Sequence, residues 1–307
     1  MRGDDFPMTF LVLTHGGTGS KPSEKGGTDR AAEAGLAFLR RGLGPLEAAV
    51  EACRVLEDDP RFNAGTGSSL RFDGKTIEMD AACMDSDGRF GAVAALRDVK
   101  NPILVARELL PTPHNLLAGE GALRYARAHG HESYNPWTQR AQDRYDRFME
   151  RFRNGMHDRS ESEWHPEMLR EHWNYDISLS EILDADTVGA VATDGRTYAA
   201  ALSTGGTMAT LLGRVGDVPI PGCGLHAGPA GAVAVTGDGD HLARAFLASR
   251  IYADLEAGLS PDEARDRAIA RFPGHVDVGV ILVSPRGWSG GSNRDMAWSA
   301  LAKEVIA

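Results

Sequence analysis

A mixed α/β fold, with two sheets sandwiched between helical layers, is what this sequence predicts. Three observations carry the prediction. Short apolar strands occur in both halves of the chain, helices gather in pairs between them, and 36 glycines concentrate in short motifs where backbone must approach backbone or ligand closely. The glycine content exceeds the usual share of roughly 7%. At 307 residues, 42% hydrophobic and 25% charged, the chain can bury a substantial core.

The first strand is read in the apolar run Met8–Leu13, which stops at His15-Gly16-Gly17. A glycine-rich polar loop spans His15–Gly27. Thr28 then reads as the cap of a helix over Asp29–Arg41, and Pro45 opens a second helix reaching Glu57. Asp58–Ser69 is a loop broken by glycine and proline. Residues 76–97 form a hairpin turning at Asp85-Ser86-Asp87-Gly88. That turn resembles the start of a calcium loop, but the following ligand positions lack carboxylates, so it is read as a turn. Helices follow from Pro102 to Leu110 and from Gly119 to Ala128. His129-Gly130-His131-Glu132 lies past the second helix end in a polar loop, where a metal role is not favoured.

Residues 134–186 differ in texture. Arg140–Arg159 carries charges of both signs, while Tyr145, Phe148, Met149 and Phe152 recur at i, i+3, i+4 and i+7. Trp164, Met168, Leu169 and Trp173 suggest another short apolar face. The segment is expected to be a helical linker folding back over the body. Strands are then read at 187–193 and 197–204, hairpinned through Asp194-Gly195-Arg196, and at Val233–Thr236. One helix is expected from Asp240 to Ala257, and another from Pro261, capped by Ser260 with Glu263 three residues on. Val276–Ser284 and Met296–Leu301 close the chain as strands around a turn region, Pro285–Asn293.

A net charge of −10 argues against a general nucleic-acid binder. Three scattered cysteines, Cys53, Cys83 and Cys223, do not make a disulfide framework and read as buried small hydrophobes. The N-terminus is acidic where a secretory signal is basic, and no run approaches the roughly 18 apolar residues of a membrane span. A cytoplasmic protein is therefore expected.

The chemistry is sought where strands end. Asp186-Thr187 precedes the apolar run Val188–Val191, and a hydroxyl there can attack the preceding carbonyl. Cleavage would leave Thr187 with a free α-amine, nucleophile and base on one residue. Taken alone, Asp-Thr reads as the beginning of an ordinary strand, and the motifs downstream reverse that reading. Ser203-Thr204-Gly205-Gly206 ends the strand hairpinned to it, so antiparallel pairing brings Thr204 beside Thr187. Arg214 and Asp217, framed by glycines, either hold the carboxylate and amine of one amino acid or form a surface ion pair. Thr236 with the Gly237 N–H can make an oxyanion hole. The glycine spacing there matches neither phosphate loop nor dinucleotide motif.

These segments resemble the plant-type asparaginases, or isoaspartyl peptidases, of the N-terminal nucleophile hydrolase superfamily. The likeness rests on an ordered set: His15-Gly16-Gly17, Phe62-Asn63-Ala64-Gly65, Met79-Asp80-Ala81, Asn101-Pro102, Gly119-Glu120-Gly121, Asp186–Val191, Ser203–Gly206, Gly213–Asp217 and Thr236-Gly237. It implies a four-layer αββα sandwich, made as a precursor and cut between Asp186 and Thr187. The α subunit would be 1–186, including the linker, and the β subunit 187–307. These would stay together as one folded unit, pairing into an (αβ)₂ assembly.

By the same resemblance, Thr187 is the nucleophile of an amidohydrolase that releases L-aspartate from L-asparagine or β-aspartyl dipeptides. Thr204 activates it, Asn63 lies beside it, Arg214 and Asp217 anchor the substrate, and Thr236 with Gly237 stabilises the oxyanion. No cofactor is required. The loop 56–66 matches a segment that holds sodium through backbone carbonyls, those of Leu56, Glu57, Asp59, Phe62, Ala64 and Thr66. The chain departs from the family pattern at Val218, usually serine. Thr207–Thr210 lacks an asparagine-lysine pair, and His226–Pro229 replaces an asparagine-rich stretch. Glycosylasparaginase is the nearest alternative, although a tryptophan is expected there at the first strand end. A protein-cleaving threonine aspartase is a second, and a non-catalytic binding protein of the same fold a third.

Overall fold

The computed structural model describes residues 9–153, 184–208 and 210–304. Among them the strands are β1 (Thr9–Thr18), β2 (Met79–Asp85), β3 (Phe90–Leu96), β4 (Leu116–Ala118), β5 (Asp184–Thr193) and β6 (Tyr198–Met208), then β7 (Leu225–Gly228), β8 (Gly231–Gly237), β9 (Val278–Ser284), β10 (Gly287–Ser292) and β11 (Met296–Glu304). The helices are α1 (Lys25–Arg40), α2 (Gly44–Glu57), α3 (Pro102–Glu108), α4 (Gly119–Ala128), α5 (Gln139–Arg153), α6 (Gly239–Ala245), α7 (Leu247–Glu256) and α8 (Pro261–Ile269). The fold is mixed α/β, as expected.

Seven strands form one sheet in the order β11-β1-β5-β6-β2-β3-β4, and four form a second in the order β10-β9-β8-β7. Strand alternation divides the apolar residues among three cores. Val12, Val188, Ala190 and Ala201 meet Leu36, Leu56 and Ile103 of the helices on one face of the larger sheet. Leu13, Val191 and Leu202 point the other way, against Leu225, Ile281 and Val283 of the smaller sheet. Val233, Val235 and Val280 close onto Leu247, Ile251 and Ala264 beyond it. Because β5 and β6 are covered on both faces, they read as near-continuous runs of small apolar residues rather than alternating ones.

Several boundaries differ from the sequence reading. β1 continues through His15–Thr18 because His15 still pairs with β11 and β5 and Thr18 with β11, so Gly16 and Gly17 form an irregularity within the strand. α1 begins at Lys25, which places Thr28 inside the helix. Its hydroxyl donates to Lys25 O at 2.9 Å and meets Ser299 Oγ at 2.6 Å, so it ties the helix to β11 and does not cap it. The expected helix Asp240–Ala257 is broken into α6 and α7 at Phe246, whose φ of 50° and ψ of 48° are left-handed. For a non-glycine residue that conformation costs roughly 1–2 kcal/mol. Pro285–Asn293 contains β10, and His226–Gly228 lies in β7. The glycine-rich edges hid both.

The hairpins turning at 85–88 and 194–196 and the Ser260 capping box appear as expected. All three cysteines are buried and free. The linker helix also folds back as expected. Tyr145, Phe148 and Met149 of α5 are buried, Tyr145 donates to Phe72 O at 2.9 Å, and Arg140 pairs with Glu24 at 2.6 Å. The proposed face at Trp164–Trp173, and the Phe152 side chain, lie outside the described residues. No described helix is long and apolar enough to cross a membrane.

Candidate active site

β5 begins upstream of the suspected cut, so Asp186 and Thr187 both lie within a strand. The ladder is irregular just there: Ala185 pairs with Thr207 and Thr187 with Thr204, leaving one extra residue on β6. That bulge occupies Gly205-Gly206, where Gly206 has φ of 71°, and it faces the Asp186–Thr187 peptide. On the far side Gly17 of β1, at φ of 94°, lies against the Thr187 backbone. A β-carbon on Gly17 would fall 2.2 Å from Thr187 O and 2.9 Å from Thr187 N. The peptide is thus held between two stretches of glycine backbone.

The pairing puts Thr187 and Thr204 on the same face. Thr187 Oγ1 donates to Thr204 Oγ1 at 3.2 Å, and the Gly206 N–H donates to the same Thr204 oxygen at 2.9 Å. Both threonines are buried. His15, opposite Gly189 two residues along β5, is fully buried, and burial lowers its pKa to about 3, so it is neutral. Its Nδ1 accepts from the Gly17 N–H at 3.2 Å and helps fix the turn of β1 toward Thr187.

β8 crosses β5 and β1 on the inter-sheet side and brings Thr236 to this end of the sheet. Thr236 is buried, and its Oγ1 accepts from the Thr18 N–H at 3.3 Å, next to the Gly17 that touches Thr187. The loop after β6 carries Arg214 and Asp217, and Gly239 opens α6 between them. A β-carbon there would fall 2.7 Å from Asp217 Oδ1 and 3.1 Å from Arg214 Nη2. Arg214 Nη2 donates to the exposed Asp240 at 2.9 Å. Yet Arg214 Nε and Asp217 Oδ2 are buried with no hydrogen-bond partner among the described residues. A buried donor and a buried acceptor left unmatched on one loop are costly for the protein alone, and the two charges suit a zwitterion. Burial pushes the Asp217 carboxyl up to about 7, opposed by its own backbone N–H and by Arg214.

A family profile described as asparaginase matches residues 8–306. The chain is 38% identical over 289 residues to a plant-type L-asparaginase of Pyrococcus abyssi, covering 90% of both proteins. It is 38% identical over 293 residues to one of Thermococcus kodakarensis, again 90% of both. It is 35% identical over 308 residues to an isoaspartyl peptidase/L-asparaginase of Danio rerio, spanning 95% of this chain and 92% of the relative. The chain belongs to the asparaginase family.

Within that asparaginase frame, Asn63 has a more particular place than expected. Its Nδ2 donates to Gly206 O at 2.9 Å, its Oδ1 accepts from Ser69 N at 2.7 Å, and its carbonyl accepts from Gly205 N at 3.0 Å. It fastens the bulge that carries Thr204. Of the departures from the asparaginase pattern, Val218 is buried between the sheets and His226 stacks on Tyr252. His131 pairs with Glu108 at 3.0 Å, and no group of three or more His, Cys, Asp or Glu suited to a metal occurs among the described residues.

The loop 56–66 leaves α2 with Thr66 N donating to Glu57 O at 2.8 Å and Phe62 N to Asp59 O at 3.1 Å. Carbonyls of Glu57 and Lys100 crowd Gly65, and those of Pro60 and Phe62 crowd Gly67. Glu57 is buried, and burial pushes its carboxyl up to about 8. Its Oε1 accepts from Ile103 N at 2.9 Å, and Ser203 and Asn101 on the same carboxyl oppose the upward shift.

Sequence reasoning passed over Arg71, Glu78 and the role of Asp80. Asp80 sits opposite Thr204 on β2, fully buried, with Oδ1 accepting from Ala95 N at 2.8 Å. Charges set in apolar runs, Leu70-Arg71-Phe72 and Ile77-Glu78-Met79, were the available signal, because such residues are rarely buried unless paired.

Proposed function

We propose that this chain cuts itself between Asp186 and Thr187 and then, as a two-part enzyme, hydrolyses β-aspartyl amide bonds in L-asparagine and β-aspartyl dipeptides. The observation that carries this reading is the Thr187 hydroxyl bonded to Thr204 at a bulge opposite Asp186, with Arg214 and Asp217 on the loop that leaves the Thr204 strand and each keeping a buried unmatched atom. The names of the relatives support it. In maturation, Thr187 Oγ attacks the Asp186 carbonyl carbon and the chain shifts to an ester. As the ester forms, the Asp186–Thr187 C–N bond breaks and frees the Thr187 α-amine. Water then hydrolyses the ester, releasing the Asp186 carboxylate and restoring the Thr187 hydroxyl.

In turnover, that amine takes the Thr187 hydroxyl proton. Its unperturbed pKa of roughly 7.7–8.0 suits the task near neutral pH. Thr187 Oγ adds to the substrate's side-chain amide carbon, and the negative oxygen is stabilised by the Thr236 hydroxyl and the Gly237 N–H. The C–N bond breaks, ammonia or an amine leaves with the proton, and water hydrolyses the β-aspartyl ester to L-aspartate. Arg214 holds the α-carboxylate and Asp217 the α-ammonium, which fixes the reacting carbon over Thr187.

The three stacked cores support a four-layer αββα sandwich of the N-terminal nucleophile type. Backbone carbonyls are the oxygen ligands a hard monovalent cation takes, and loop 56–66 gathers those of Glu57, Pro60 and Phe62 around Gly65 and Gly67, so sodium there belongs to the proposal as a structural ion. Leu56, Glu57 and Asp59 carbonyls already accept amide bonds but keep a second lone pair. Residence in the cytoplasm is supported by three free cysteines. Pairing into (αβ)₂ rests on the family likeness.

Intact-mass measurement with N-terminal sequencing, followed by assays on L-asparagine and β-aspartyl-leucine, tests the reading. Two fragments are expected, the smaller beginning at Thr187, with L-aspartate released. Activity from an uncut chain, or a new terminus elsewhere, overturns it. A pH profile adds a second check. With Asp217 lifted to about 7, its ionised form is lost on acidification. The value of kcat/KM should therefore fall toward roughly a hundredfold per pH unit below 7, where both Asp217 and the Thr187 amine are protonated. The value of kcat, measured with the ammonium holding Asp217 ionised, follows the amine alone and falls about tenfold per unit.

A further inference from the structure

Arg71 plays no part in the chemistry above, yet it is buried to 0% exposure directly behind the site. Its Nε donates to Glu78 Oε2 at 3.3 Å and its Nη2 to Glu78 O at 3.2 Å. Its Nη1 donates to Thr207 O and to Thr210 Oγ1, both at 3.0 Å, and its Nη2 reaches Arg214 O at 3.4 Å. Glu78 completes the device, because its Oε2 accepts from Gly213 N at 2.7 Å while Arg97 holds its Oε1 at 2.5 Å. The segment 207–214, which joins the end of the Thr204 strand to Arg214, is therefore bonded at Thr207, Thr210, Gly213 and Arg214 by one buried ion pair. The guanidinium also fills the concave side of the bulge, since a β-carbon on Gly206 would fall 2.5 Å from Nη1.

A lone buried guanidinium is costly, and this one is stabilised by acceptors drawn from both ends of a loop. Its rigid fork fixes distances between those acceptors that a lysine, a point charge on a flexible stem, cannot reproduce. We infer that Arg71 is a positioning residue for substrate capture, setting the distance between the Thr187–Thr204 pair and the Arg214 carboxylate anchor through the 207–214 loop. It touches no substrate itself. The inference rests on the amidohydrolase reading of the same site.

Separation of binding from chemistry tests it. Arg71→Lys keeps a buried cation against Glu78 but cannot span the loop. It is expected to mature into two fragments, to unfold near the wild-type temperature, and to raise KM for L-asparagine roughly tenfold with kcat changed less than about threefold. Pairing it with Arg214→Lys should give a KM change well short of the product of the single effects, because the first mutation has already displaced the anchor. Should Arg71→Lys fold poorly, the double variant Arg71→Met with Glu78→Gln removes both charges together, and the same KM-selective loss is expected. An unchanged KM, or KM effects that multiply with those of Arg214→Lys, overturns the inference while wild-type turnover leaves the function standing. A wild-type protein without amidase activity overturns both.

Discussion

Thr187→Ala is expected to remain a single 307-residue chain and to release no ammonia from L-asparagine. Both losses follow from one atom. The Oγ that bonds Thr204 at 3.2 Å is the group that would attack the Asp186 carbonyl first and the substrate amide afterwards. Removing the nucleophile in comparable covalent hydrolases costs roughly 10⁶ in turnover, because the remaining binding and oxyanion groups cannot create an attacking atom. The fold should survive, since Thr187 lies in a strand held by β1 and β6 and loses only a hydroxyl and a methyl. Thr187→Ser separates the functions from the fold: it restores the hydroxyl, so partial cleavage and measurable turnover are expected. A denaturing gel, intact mass and an ammonia assay read all of this. Cleavage of the alanine variant at 186–187 would remove Thr187 from the mechanism.

The legible part of the molecule was the part written locally. Apolar runs bounded by turns marked β2, β3, β5 and β6, and the pairing of Thr187 with Thr204 followed from one short hairpin. What escaped reading depends on distant partners. Thr28 looks like a cap until Ser299, on the last strand, is seen to take its hydroxyl. The helix predicted across Phe246 is broken by a backbone conformation that an exposed phenylalanine does not advertise. β10 carries glycines at 287, 290 and 291, and it is a strand only because β9 pairs with it. Asn63 was placed near the nucleophile by family likeness, but its amide is spent on Gly206 O and Ser69 N, contacts no local pattern encodes. Arg71 is the extreme case, because its acceptors lie up to 143 residues away.

Thr236→Val is expected to lower kcat roughly 10²–10³-fold with KM little changed. Valine matches threonine in shape, so the buried position between β9 and β1 stays filled and the hydroxyl alone is lost. In the resting protein that oxygen accepts the Thr18 N–H at 3.3 Å, and leaving the N–H unmatched costs about 1–3 kcal/mol of stability. The larger effect is kinetic. A donor aimed at an oxygen that becomes negative only in the transition state contributes little to ground-state binding, so its loss appears in kcat. Arg214 and Asp217 still hold the substrate, and the Gly237 N–H still meets the oxyanion, which is why activity falls without vanishing. Turnover must be measured on protein already cut at Thr187, since slow maturation would otherwise mimic slow chemistry. A matured Thr236→Val protein with wild-type kcat would show that the developing charge is met elsewhere, and the assignment of β8 to the oxyanion would fall with it.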